Sequence, residues 1–223
     1  MARVVRPQFD TFADVLRCLG GIAPDRVHLR PAPGEAAERD LLYLLDHGNR
    51  LYELVDRTIV EKVSGSVESY LAMELAFHLR LFLQTSDLGI LLGPDGPYRL
   101  RPSLVRLPDV SFLRWERLPM RDQVPTDPIC RYMPNLAIEV LSPGNTRKEM
   151  VRKRQEYFQA GVQRVWYVDP VTRTVTVYTA ADLATVLGEK DTLDGGDLLP
   201  GFAVPVRDLF ARVPSPPKKR RKR

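Results

Sequence analysis

The apolar residues at the centre of the chain change their spacing in an order that leaves few folds open. "SVESYLAMELAFHLRLFLQ", residues 66–84, repeats at the helical interval. Leu71, Leu75, Leu79 and Phe82 join Ala72, Ala76 and Leu83 along one face, behind a candidate cap at Ser66. Three β-prone stretches follow, "LGILLG", "YRLRPSLVRL" and "PDVSFL", and then the strand "NLAIEVL". Helical spacing returns from about Thr146 to Ala160, and "RVWYVD" and "TVTVYTA" read as strands on either side of the turn "DPVTR". A core order of helix, three strands, helix, strand predicts an α/β fold in which a central mixed sheet is flanked by helices.

Upstream, "FDTFADVLRCLGGI" reads as a short amphipathic helix with a Gly-Gly stop, and "APDRVHLRPAPGEAAERD" as an extended connector. "DLLYLLDH" suits a second short helix. "RLYELVD" and "TIVEKV" suit a hairpin joined at Asp56 and Arg57. The end of the chain reads as short strands and one helical turn. A length of 223 residues favours one domain, assigned to residues 1–213, and a basic tail over 214–223 that is expected to be disordered.

Charge belongs to that tail. "PPKKRRKR" carries six positive charges against a net +5, which leaves the rest of the chain near −1. The basic pI therefore says nothing of a basic surface on the body. Lys218, Lys219, Arg220, Arg221, Lys222 and Arg223 are candidates for non-specific nucleic-acid contact by counterion release, against the plainer reading of a solvated basic end. The run also resembles a nuclear-import signal, which would matter only in a nucleated host.

No apolar stretch approaches the roughly 18–20 residues needed to cross a bilayer, and "MARVVRPQFDTF" lacks the apolar core of a signal peptide. A cytoplasmic protein without a membrane partner is expected. Cys18 and Cys130 stand apart without a C-x-x-C pattern, so they read as buried, reduced thiols. His28, His47 and His78 share no metal-ligand spacing.

Two strands each hold an acid. Alternation puts Val110 and Phe112 of "PDVSFL" on one face and Asp109 and Ser111 on the other. In "LAIEVL" it sets Leu136, Ile138 and Val140 opposite Ala137, Glu139 and Leu141, so Glu139 violates no core burial. If the strands are neighbours, Asp109 and Glu139 converge. Close carboxylates repel, and the economical neutraliser is a hard divalent cation with oxygen ligands, most often magnesium. The plainer reading puts Glu139 on an exposed sheet face or beside an arginine. In the following helix, Met150, Val151, Tyr157 and Phe158 define an apolar stripe centred near Arg154, with Lys153 on its flank. Either cation suits a phosphate oxygen, and spacing leaves the two level. In "SPGNT", Asn145 or Thr146 is the candidate N-cap of a helix whose start favours an anion.

"PDVSF" followed by "PNLAIEVLSPGNTRKEMVRKRQEYFQAGVQRVWYVDP", with "RLYELVDRTIVEK" upstream, resembles the bacterial Uma-type family of restriction-endonuclease-like proteins, long catalogued as a domain of unknown function, within the PD-(D/E)xK nuclease superfamily. The resemblance runs over roughly residues 8 to 210 and implies a restriction-endonuclease-like core. Asp109 then stands for the acid of the "PD" element and Glu139 for the second acid. The superfamily's usual lysine, two residues further on, is replaced by Leu141. In this family the lysine lies on the next helix, four residues before the tyrosine of "KRQEY", and that implies Lys153 rather than Arg154. Glu53 of "YELVD" matches a recurrent acid that assists metal binding, although its strand could equally present it to solvent. Arg57 stands where the family carries glycine, which puts the tight turn in question.

The function implied is a Mg2+-dependent (or Mn2+-dependent) endonuclease acting on DNA, with Asp109 and Glu139 holding the metal and Asp109, Glu139, Lys153 and Glu53 forming the catalytic set. A homodimer is an added expectation, because cutting both strands needs two sites related by the duplex dyad. The rivals are a nucleic-acid-binding module that keeps the fold without cutting, and a nuclease for RNA or damaged DNA, since the site chemistry does not read the sugar.

Overall fold

The computed structural model describes residues 8–214, so the tail contacts expected at 218–223 lie outside the described residues. Helix α1 (Phe12–Cys18) starts at a reciprocal cap between Thr11 and Asp14 and stops at Gly20 and Gly21, both left-handed. Helix α2 (Glu38–His47) precedes the hairpin of β1 (Tyr52–Val55) and β2 (Thr58–Glu61). The long helix α3 (Ser66–Ser86) leads into β3 (Gly89–Leu92), β4 (Tyr98–Arg101), β5 (Leu104–Arg106), β6 (Val110–Arg114) and β7 (Leu136–Val140). Helix α4 (Arg147–Gln159) follows, then β8 (Arg164–Asp169), β9 (Thr174–Ala180), β10 (Leu183–Leu187), β11 (Thr192–Gly195), β12 (Leu199–Pro205) and the turn of helix α5 (Val206–Leu209).

The central sheet is mixed, in the order β10-β9-β8-β7-β6-β3. Strand β7 runs antiparallel to β6 and parallel to β8, as the chain must when α4 carries it across from β7 to β8. One face packs on α3: Leu71, Leu75 and Leu79 meet Val110, Phe112, Leu136, Ile138 and Trp166. The other is covered by α4, whose Met150 and Tyr157 meet Ala137, Val165 and Tyr167. Of the three β-prone stretches, the first and third pair within this sheet as β3 and β6. The second breaks at Pro102-Ser103, with Ser103 left-handed, and its halves join the hairpin in a smaller sheet ordered β2-β1-β5-β4. Helices α1 and α2 cover that smaller sheet through Val15 and Leu19, and through Leu41.

Three local expectations need correction. Ser66 does not cap α3: Gly65 holds the cap position without a side-chain bond, and Ser66 is already helical. The hairpin turn survives without glycine. Asp56 and Arg57 take φ of 46° and 61° between the paired Val55 and Thr58, the geometry of a two-residue hairpin loop. The Arg57 guanidinium offsets the strain by donating to the Gly34 and Glu35 carbonyls at 3.0 and 3.1 Å. Finally, Cys130 is buried as expected but Cys18 is exposed. Among the described residues no helix is long and apolar enough to cross a membrane.

The N-terminal segment is fastened to the start of α4. Thr146 donates to the Gly20 carbonyl at 2.7 Å, and Arg152 donates to the Cys18 carbonyl. The buried Arg26 donates to both Glu149 carboxylate oxygens at 3.0 and 2.6 Å, and also to the Gly144 and Glu61 carbonyls. A Cβ on Gly20 would lie 2.6 Å from the Glu149 nitrogen at a φ of +87°, whereas one on Gly21 would meet nothing within 4 Å. Gly20→Ala is therefore expected to lower the unfolding free energy by roughly 2–3 kcal/mol, combining backbone strain with the clash. Gly21→Ala carries only the left-handed penalty of about 1 kcal/mol. Urea denaturation of the two variants side by side checks the difference.

Candidate active site

The register of β6 against β7 decides where the two strand acids meet. Val110 pairs with Ile138, so one step further Asp109 lies opposite Glu139. The Asp109 backbone N–H donates to the Ile138 carbonyl at 2.9 Å, and its Oδ2 accepts the Val140 N–H at 2.7 Å. That bond fixes the Asp109 carboxylate beside the residue that follows Glu139. Alternation predicted the shared face correctly, but the face is not open: α4 lies over it and Glu139 is only 3% exposed.

Burial of a carboxylate demands partners. Glu139 Oε1 accepts the Tyr157 hydroxyl at 2.6 Å and lies 2.8 Å from the Lys153 ammonium. Lys153 also reaches Glu53 Oε1 at 2.9 Å, and so bridges an acid of the small sheet to an acid of the central one. Glu53 Oε1 accepts the Leu107 N–H at 3.0 Å, and Oε2 accepts from Arg106 at 2.7 Å. Arg106, only 2% exposed, turns its remaining donors to Glu156 Oε2 at 2.8 and 2.6 Å. Lys62, from the end of the hairpin, places its ammonium 2.7 Å from Asp109 Oδ1.

All four residues assigned from the sequence thus occupy one buried cluster built on β1, β6, β7 and α4. Arg154, level with Lys153 by spacing, points elsewhere and stacks its guanidinium 4.3 Å from the Tyr178 ring centroid. Of the two candidate caps, Thr146 serves: its hydroxyl accepts the Glu149 N–H at 3.0 Å. Sequence reasoning missed Arg106, Lys62, Tyr157 and Glu156. Arg106 did carry a signal, a lone charge between Val105 and Leu107 in "SLVRLPD".

The electrostatics are uneven. Burial pushes the Glu139 carboxyl up, and neighbouring Asp109 and Glu53 add to the rise against the pull of Lys153 and Lys62. Burial acts in the same sense on Glu53, yet Lys153, Arg106 and the Leu107 N–H hold that carboxyl far below its usual range. Burial would discharge Lys153, but Glu139 and Glu53 keep its ammonium above the ordinary lysine value. The two acids therefore favour the ammonium form of Lys153.

Asp109 and Glu139 form an oxygen-donor pair that suits a hard divalent ion. Glu139 Oε2 accepts no hydrogen bond from the described residues and so is left as a free oxygen donor. Among the described residues no three His, Cys, Asp or Glu side chains gather as a metal cluster. A magnesium ion here would complete its shell with water, backbone carbonyl or substrate oxygens, as that ion prefers. The residues fit the ion on those terms.

The arrangement of sheet and helices has a solved counterpart. The fold is similar to the crystal structure of a putative nuclease belonging to DUF820 from Anabaena variabilis ATCC 29413, with a TM-score of 0.64 and 19% identity. The match covers 75% of this chain and 97% of that one. A comparison with curated proteins finds no match. The family model described as "Uma2: Putative restriction endonuclease" matches residues 38–207, and the chain belongs to that family.

Proposed function

We propose that this chain is a Mg2+-dependent (or Mn2+-dependent) endonuclease that hydrolyses phosphodiester bonds in DNA, with residues 1–213 acting as one domain. One observation carries the reading: the Lys153 ammonium sits 2.8 Å from Glu139 and 2.9 Å from Glu53, in the cluster where Asp109 docks on the Val140 N–H. A buried acid pair with an adjacent cation is what hydrolysis of a charged diester calls for.

Asp109 and Glu139 would hold the metal, which when bound supplies charge neutralisation and a water of lowered pKa. Tyr157 donates to Glu139 Oε1 and leaves Oε2 without a hydrogen-bond donor among the described residues. Lys153 offers its charge and N–H donors to a phosphate oxygen as negative charge develops. Glu53 accepts from Leu107 and Arg106 and lies 2.9 Å from the Lys153 ammonium, so it aims and charges Lys153, while Asp109 would exchange its 2.7 Å Lys62 partner for the metal. Two such sites on a homodimer would serve the two strands of a duplex.

Supercoiled plasmid incubated with the full chain and magnesium is expected to be nicked or linearised, and Glu139→Gln is expected to leave it intact. Equal cutting by the variant would overturn the assignment. The active form needs ionised Glu139, and its carboxyl is raised. Metal favours the ionised carboxylate and burial disfavours it, so the magnesium concentration for half-maximal cutting is expected to rise as pH falls. Magnesium titrations on a fluorescent duplex at several pH values read this directly, and a requirement unchanged with pH would contradict it.

One observation favours a second reading, a nucleic-acid-binding module that does not cut. Lys62 neutralises Asp109 from within the chain at 2.7 Å. That reading expects an intact plasmid from the native chain with either metal. Adding RNA and lesion-bearing duplexes to the same assay separates loss of activity from a different substrate.

A further inference from the structure

Arg154 lies on the side of α4 away from the carboxylate cluster and is 8% exposed. Stacking on Tyr178 occupies a face of its guanidinium and uses none of its N–H donors. Among the described residues it makes no hydrogen bond; its Nε is buried without a partner, and its one ion pair is a 3.6 Å approach to the 86%-exposed Asp182. A buried guanidinium left so open is costly unless an anion completes it.

Arg154 lines a cavity of about 460 Å³ between α4 and strands β8 and β9. The thirteen-residue α4 starts at its edge with the cap Thr146 and with Arg147; the capping box takes the Thr146 and Glu149 N–H groups, which leaves the Arg147 N–H and side chain to meet an anion there. The cavity also contains a carboxylate, Asp169, but its Oδ1 is taken up by the N–H groups of Val171 and Thr172. Met150, Val151 and Val171 give the wall an apolar part beside Tyr178, whose ring carries Arg154, and the buried Tyr167. The volume suits a small organic ligand rather than a bare ion.

We propose that this cavity is a second site that binds the phosphate ester of a nucleotide, with Arg154 and the start of α4 taking the phosphate and the apolar wall taking the base or sugar. The phosphate could belong to a free mononucleotide or to the end of a strand, and both present the same group. The site does not require the carboxylate cluster to be hydrolytic.

The test is calorimetry on the full chain in EDTA, where metal-dependent cleavage cannot intervene. The probes are a nucleoside 5′-monophosphate, the matching nucleoside, and a short oligonucleotide with and without a 5′-phosphate. The monophosphate is expected to bind at least tenfold more tightly than the nucleoside, and Arg154→Gln to remove that preference. Arg147→Gln, an exposed position that leaves the fold intact, is expected to weaken the monophosphate several-fold. It carries the test if Arg154→Gln does not fold. A 5′-phosphate preference on the oligonucleotide that disappears with Arg154 supports the site with a strand end as ligand. Preference confined to the mononucleotide supports it with a free nucleotide as ligand. Equal binding of nucleoside and monophosphate by the native chain overturns the proposal. So does a folded Arg154→Gln protein that keeps the native preference, or, failing that variant, an unchanged affinity in Arg147→Gln.

Discussion

Replacing Arg106 by methionine lowers the unfolding free energy at neutral pH by about 3–5 kcal/mol, the usual cost of removing one partner from a buried ion network. Arg106 is the only described cation that reaches both Glu53 and Glu156, through donors 2.6 to 2.8 Å away. Methionine fills similar volume, so the loss reports charge and not a cavity. Its pH dependence has a definite sign. Burial opposes ionisation of Glu53, but Lys153 and Arg106 hold its carboxyl down in the native fold. Its contribution is therefore fully present above the unfolded glutamate value of about 4.3 and is lost as pH falls through the depressed native value. Without Arg106 that contribution shrinks, so the deficit of the variant is widest at neutral pH and narrows in acid. Urea titrations at several pH values check both statements, and a deficit that widened in acid would place the interaction elsewhere.

Replacing Lys153 by glutamine is expected to lower the cleavage rate by about 10²–10³-fold, the scale of a single preorganised donor to developing charge. Lys153 lies 2.8 Å from Glu139 and 2.9 Å from Glu53, so its loss also leaves two buried acids without their shared cation. A stability loss accompanies the rate loss, and the two are separable. Lys153→Arg restores the charge, although the planar fork does not reproduce the compact ammonium. It is expected to recover most of the stability and little of the rate. Recovery of both would reduce Lys153 to a structural role, which thermal melts and single-turnover rates on the same preparations would reveal.

The parts of the site that were legible in the sequence are those set by period. Alternation in two short strands put Asp109 and Glu139 on matching faces, and the pairing of Val110 with Ile138 brought those faces together. Whether the face was covered was not a local property. Glu139 is buried because α4 folds back over β7 on its way to the parallel β8. Lys153 and Arg154 differ by about 100° around one helix. The choice between them depends on which side of α4 receives the small sheet. The pairing of β1 with β5, Leu54 with Val105, spans some fifty residues and leaves no trace in spacing. Arg106 illustrates the same limit, since its acids lie 50 and 53 residues away. The residues read as a hairpin at Asp56-Arg57, and only the family's glycine at position 57 put the tight turn in question; the carbonyls at Gly34 and Glu35 make it tenable with arginine.

Asp109 and Glu139 are proposed to hold one divalent ion jointly. Titration of manganese into the full chain, followed by calorimetry, tests it without reference to turnover. One ion per chain is expected for the native protein, with binding lost in Asp109→Asn and in Glu139→Gln while both variants keep a cooperative thermal transition. Manganese affinity unchanged in either folded variant would contradict the account.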